Sequence, residues 1–235
     1  MTLDEIKSLY EKSGGEFISS PVLLSKKLRN IKALVFDWDG VFHSGAKKDG
    51  HSSFSEVDSM GVNMLRFGYF LQNGELPITA IITGENNLTA FHFAEREHLD
   101  GVFYSIKTKN IALDFIKNKH GLSSDEILFV FDDILDLSAT RESAVRFLMG
   151  RNANPMFINY CKENGLTDYV SAHHGGDHGV REISELSLSL IDQFENTLEN
   201  RVAFSDSYAT YLNTRNETKT SYFTSDKTKI IESNL

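Results

Sequence analysis

Two aspartates, Asp37 and Asp39, stand one residue apart where the apolar run Ala33-Leu34-Val35-Phe36 ends, and Gly40 follows them. A carboxylate at the exit of a buried strand is costly to ionise unless a cation meets it. Two further apolar runs end in groups of the same kind: one in Thr83-Gly84-Glu85, another in Asp132-Asp133, with Asp136 close behind. Separate acidic strand ends that converge on one edge repel each other without a cation, and oxygen-only ligands suit Mg²⁺. The pattern predicts a place where a divalent metal and a phosphate group meet. Each piece alone has an ordinary explanation. An isolated Asp-x-Asp is more often a turn, Thr83-Gly84 serves as a helix start, Lys109 at a helix opening is by default a surface lysine, and Asp132-Asp133 read as helix caps. Their order, each at the end of a successive strand, favours chemistry.

The elements that must position these residues alternate along the chain. Strand-like runs lie at 32–37, 77–82, 101–104, 127–131 and 145–149, with helical patterns between them at 59–73, 87–98, 109–119 and 153–164. Gly74, Gly121 and Gly165 stop three of the helices. Continuous apolar strands separated by helices predict a parallel sheet covered on both faces, where ligands bind beyond the carboxyl ends of the strands. Residues 41–57 break the alternation and predict a β-hairpin turning at Asp49-Gly50. The expected fold is α/β: a Rossmann-like, three-layer parallel sheet with a β-hairpin insert and no cap domain. An N-terminal helical extension (1–30) precedes the 31–194 domain. A polar C-terminal extension (195–235) follows it, and its order cannot be read from sequence.

Composition sets outer bounds. A net charge of −9 and a pI of about 5.4 argue against nucleic acid or an anionic membrane surface as the main partner. Cys161 is the only cysteine, so no intrachain disulfide forms and a reducing compartment fits. With no signal pattern and no apolar run of spanning length, the expectation is a soluble, cytoplasmic protein.

Taken in order, Asp37-x-Asp39-Gly40-Val41, Thr83, Lys109 and Asp132-Asp133 resemble the four motifs of haloacid dehalogenase-like phosphatases. The short insert after the first motif resembles the capless subgroup. That subgroup contains 3-deoxy-octulosonate 8-phosphate phosphatases, nonulosonate 9-phosphate phosphatases and the C-terminal domains of some acylneuraminate cytidylyltransferases. The likeness covers about residues 31–192 and includes Asp58-Ser59-Met60-Gly61 and the stretch Gly175–Ile183.

The resemblance implies a Mg²⁺-dependent phosphatase acting on a small sugar or sugar-acid phosphate. Asp37 would be the nucleophile and Asp39 the general acid and base. Thr83 and Lys109 would hold phosphoryl oxygens. The metal would be held by Asp37, the Asp39 backbone carbonyl and Asp132, with Asp133 and Asp136 orienting metal waters or Lys109. Substrate contacts would come from Gly84, Glu85, Arg96, Gly175, Gly176 and His178. The subgroup also implies a homotetramer whose hairpins form a central barrel, each site completed by a neighbour. The alternative is an oligomeric module of the same fold, impaired in turnover, with a binding or assembly role.

Four departures stand out. Phe131 occupies a position usually held by glycine, where its bulk is expected to crowd the metal edge. His43-Ser44 replaces Thr-Asp, Phe91 and Phe93 stand where cations are expected with only Arg96 left, and Asp177 replaces an arginine. His173, His174, Asp177 and His178 invite a zinc reading; a flexible loop closing over a neighbouring site fits their glycine-rich setting better. Asp58 reads as a helix N-cap and Glu56 as a solvated edge residue.

Overall fold

In this computed structural model, which describes residues 1–226 and 229–233, the alternation read from the sequence becomes a sheet with helices on both faces. The strands are β1 (Glu16–Phe17), β2 (Ala33–Asp37), β3 (Ile78–Ile82), β4 (Gly101–Phe103), β5 (Ile127–Phe131), β6 (Val145–Leu148), β7 (Tyr169–Val170), β8 (Ser221–Asp226) and β9 (Lys229–Ser233). The helices are α1 (Leu3–Lys12), α2 (Pro21–Leu28), α3 (Glu56–Asn73), α4 (Leu88–Arg96), α5 (Asn110–His120), α6 (Leu137–Thr140), α7 (Pro155–Glu163), α8 (Gly179–Leu190), α9 (Phe194–Val202) and α10 (Asp206–Glu217).

The spatial strand order is β1-β7-β6-β5-β2-β3-β4-β8-β9. The outermost strands, β1 and β9, run antiparallel; all pairs between β7 and β8 are parallel. β2 and β5 are buried along their whole length, which explains why both read as unbroken apolar runs. Leu34, Phe36, Leu128 and Val130 face a core shared with α3 and α8, whereas Val35, Phe129 and Phe131 face a second core shared with α5 and Cys161 of α7. From β2 the chain moves outward to β3 and β4, then returns to β5 on the other side of β2. That reversal opens a crevice at the carboxyl ends of β2 and β5.

The expected hairpin is reduced to its turn. Asp49 and Gly50 both have positive φ (52° and 80°), and Lys48 and His51 exchange backbone hydrogen bonds of 2.8 and 2.9 Å, but no strands flank them. The neighbouring Ser44-Gly45-Ala46 and Ser52-Ser53 offer too little apolar surface to hold a ladder in water. Trp38 anchors the returning segment, donating from Nε1 to Ser52 Oγ at 2.9 Å.

Both extensions add to the same sheet. At one edge, β1 pairs with β7, and α1 and α2 cover α8. At the other, β8 pairs with β4, and Phe223 stacks on Phe103 at 4.7 Å between centroids. Tyr208 and Tyr211 of α10 close on Phe67 of α3. A few buried aromatics thus order a tail that is otherwise polar. No helix among the described residues is long and apolar enough to cross a membrane.

Candidate active site

Asp37 closes β2, with its carboxylate at the crevice. The next side chain points the opposite way: Trp38 is fully buried among Phe42 and Phe93, which fixes the backbone between the two aspartates. Gly40 has φ +85°, and a Cβ there would lie 1.9 Å from Asp132 Oδ2, so only glycine lets the first-motif loop pass beneath β5's exit. Beyond β5, the turn Ile134–Asp136 bends back, and the Asp136 carboxylate accepts the Asp132 and Asp133 N–H groups at 3.3 and 3.2 Å. Asp37, Asp132 and Asp136 thereby bring carboxylate oxygens within 4.8 Å of one another. Asp136 belongs to the central trio and pairs with Lys109. Asp133 does not: it is exposed and caps its own turn, accepting from Ile134 N at 2.7 Å.

Lys109 precedes α5 and folds its ammonium, 3% exposed, between Asp37 at 2.5 Å and Asp136. Arg151, just beyond β6, reaches Asp132 Oδ2 at 2.9 Å. Three carboxylates therefore share two cations. Burial and the charge of Asp136 push the Asp132 carboxyl up to about 6, against the pull of Arg151 and Lys109. Burial likewise raises Asp37, with Lys109 opposing. Burial works against the Lys109 ammonium, but Asp37 and Asp136 outweigh it and hold its pKa above the usual value. The excess negative charge rests on the carboxylates. An all-oxygen donor set with surplus negative charge fits a hard divalent cation.

Asp39 sits in a different environment. Its Oδ2 accepts from Asn87 Nδ2 at 2.7 Å and from Thr83 Oγ1 at 3.3 Å, while Lys47 Nζ lies 3.2 Å from Oδ1. His43 accepts the Gly45 N–H at Nδ1, which leaves the proton of the neutral ring on Nε2, 3.2 Å from Asp39 Oδ1. That approach is off-axis for a hydrogen bond, and we count it as an electrostatic contact. Burial opposes ionisation of Asp39, but His43, Lys47 and Asn87 together hold its carboxyl down at about 2.

Phe131 does not crowd the metal edge. Its ring lies in the α5-side core, parallel to Phe129 at 6.0 Å, because alternation along β5 turns it away from the crevice. Phe91 and Phe93 are buried core residues of α4. The glycine loop is seated on its own chain. A Cβ on Gly175 would meet Gly40 O at 2.1 Å, and one on Gly176 would meet Ser44 N at 2.8 Å. Glu182 pins the loop by accepting from Ala172 N and His173 N at 2.9 and 2.8 Å. Asp58 does not cap its own helix, where Ser55 takes that place; it accepts from Arg181 N at 2.9 Å and caps α8 from across the interface. The zinc reading finds no support among the described residues. His173 pairs with Asp177, His174 with Gly175 O and His178 with Ser55, and among the described residues the one grouping of metal-binding size is the aspartate trio.

Gly84 and Glu85 stand at the rim, Glu85 exposed. The Arg96 guanidinium is engaged with Glu56, Glu97 and Ser59 and makes no polar contact with the aspartate trio. Sequence reasoning missed Lys47, Asn87 and Arg151. A cleft of about 890 Å³ lies at the opposite ends of the strands, lined by Lys32, Pro77 and Glu126, far from these groups.

Neither a protein-family model nor a curated protein matches this sequence. Solved structures do match. The chain is similar to 3-deoxy-D-manno-octulosonate 8-phosphate phosphatase from Moraxella catarrhalis, solved with magnesium, phosphate and the KDO sugar acid (TM-score 0.63, 23% identity, covering 75% of this chain and 97% of that one). It is also similar to the same phosphatase from Yersinia pestis (0.62, 20%, covering 74% and 89%). A third match is the cobalt-bound form of that phosphatase from Haemophilus influenzae (0.61, 22%, covering 72% and 93%). At these identities the likeness establishes the fold. The chain shares the fold of these phosphatases, the α/β architecture its sequence led us to expect.

Proposed function

We propose that this chain is a Mg²⁺-dependent phosphomonoester hydrolase that works through an aspartyl-phosphate on Asp37. The observation that carries this reading is the division of the site. One carboxylate, Asp37, is gripped by Lys109 inside an acidic trio; the other, Asp39, is held apart by Lys47, Asn87 and Thr83. Two carboxylates in contrasting surroundings suit two roles.

Asp37 attacks phosphorus, the ester P–O bond breaks, and the leaving alkoxide takes a proton from Asp39. Asp39 then removes a proton from water, which attacks the same phosphorus, frees phosphate and restores the Asp37 carboxylate. With its pKa near 2, Asp39 rests as the base; an incoming phosphate dianion beside it raises its proton affinity for the first half-reaction. Thr83 and Lys109 hold phosphoryl oxygens. Asp37, the Asp39 backbone carbonyl and Asp132 would hold Mg²⁺, which, when bound, supplies charge neutralisation between nucleophile and phosphate.

The substrate class we favour is a small sugar or sugar-acid phosphate. This rests on the fold shared with the octulosonate phosphatases. We further propose a homotetramer. Beyond the Lys48–His51 bridge the exposed 44–51 segment forms no ladder, and a neighbouring copy would cover it. Phosphate release from a panel of sugar phosphates, with Mg²⁺ and with EDTA, tests the activity. Metal-dependent turnover is expected; none on any phosphate ester would favour an assembly module instead. Light scattering at assay concentration tests the tetramer, and a monomer with full activity would refute shared sites.

A further inference from the structure

We propose that Arg151 is a resident counter-cation of Asp132 which a divalent metal must displace, so that this arginine sets the metal affinity of the site. The inference rests on the metal-site reading above. Arg151 leaves β6 on the strand next to β5, and the backbone that carries it is fixed. Gly150 donates its N–H to Ser171 Oγ at 3.0 Å, and a Cβ on Gly150 would lie 2.0 Å from Ser171 O. From there Nη2 reaches Asp132 Oδ2 at 2.9 Å and lies 2.8 Å from where a Gly40 Cβ would stand. The guanidinium thus covers the gap between the first-motif loop and one of the three carboxylates of the trio.

The two cations at this edge are held differently. The Lys109 side chain is 3% exposed and grips two carboxylates; that of Arg151 is 29% exposed and has Asp132 as its one carboxylate partner. With its arginine partner open to water, the Arg151 pair is better screened than the buried Lys109 pairs and is the weaker of the two. Charge balance points the same way. The trio with Lys109 alone carries two net negative charges, which a divalent ion neutralises; with Arg151 still docked, the same ion leaves a surplus positive charge. Lys109 is the permanent counter-ion and Arg151 the exchangeable one.

Titration calorimetry with Mg²⁺ alone, in phosphate-free buffer, reads this directly on the wild type, Arg151→Ala, Arg151→Gln and Asp132→Asn. Both arginine variants should bind Mg²⁺ more tightly, by roughly twofold to fivefold, the worth of one partly exposed ion pair. Tighter binding in either variant, including the case where the wild type binds no Mg²⁺ and a variant does, supports the exchange. Glutamine preserves the length of the side chain should the alanine variant melt in EDTA. Unchanged or weaker binding in both, with the wild type still binding through Asp132, overturns this inference and leaves the metal site standing. No binding by any of the proteins overturns both.

Discussion

Two buried aspartate clusters in this molecule resolve their charge in opposite ways. At the N-terminal edge Asp168 is wholly buried, yet its two oxygens receive Ser19 Oγ at 2.6 Å, Lys27 Nζ at 2.9 Å and Arg146 Nε at 2.9 Å. Burial raises its pKa, but Arg146, Ser19 and Lys27 outweigh burial, and the carboxyl is held below the usual range. At the crevice, Asp37, Asp132 and Asp136 share Lys109 and Arg151, and Asp132 stays near 6. The first cluster is satisfied from within and ties the N-terminal extension to β6 and β7. The second carries more negative charge than the chain itself can answer. Satisfied charge serves architecture here, and the unsatisfied charge is what the proposed metal would answer.

The sharpest way to separate the two is to neutralise one member of each. Asp37→Asn removes the proposed nucleophile, so kcat should fall by at least roughly 10⁴-fold, while a thermal melt shows stability unchanged or higher, because one of the crowded charges is gone. Substantial phosphatase activity in that variant would break the assigned mechanism. Asp168→Asn should do the reverse. Leaving Lys27 and Arg146 without their partner costs about 3 kcal/mol of stability in denaturant unfolding, with kcat per folded molecule preserved. A loss of kcat without a loss of stability would deny Asp168 its structural role.

The smallest effect concerns pH. Asp132 binds its proton more tightly folded than unfolded. Without metal, its contribution to stability is therefore lost as pH rises from the unfolded value near 4 through about 6. Asp168 has the opposite sign: its contribution is present above pH of about 4 and lost as pH falls further. Asp132→Asn should flatten the decline between about pH 4 and 6.5 and leave the metal-free protein about 1 kcal/mol more stable at pH 7, after allowance for its coupling to Asp136. A steeper decline in that variant would contradict the crowding.

The residues of the crevice were legible where an apolar strand stopped at a polar group. Asp37 and Asp132 stand at strand ends because a buried strand tolerates a carboxylate only there, and Thr83 follows the end of β3 in the same way. Lys109 was legible by its place in that order. Asn87 was not, because an asparagine at a helix start looks like a cap; here that position makes no cap bond, and the side chain serves Asp39. Arg151 drew no attention in the sequence, although it follows a strand end as the aspartates do, and the same rule applied to β6 would have flagged it. The sheet edges were the least legible. β8 is ordered by Phe223 against Phe103 and by its pairing with β4, long-range contacts that leave little local pattern.

The central claim is a covalent phosphoryl group on Asp37. Quenching the protein in mid-turnover and reducing it with borohydride converts an aspartyl-phosphate to homoserine, which peptide mass spectrometry locates. The account predicts homoserine at position 37 and at no other aspartate, only when Mg²⁺ and a phosphate ester are both present. Phosphate release with position 37 unmodified, or with the label at Asp39 or Asp132, would contradict it.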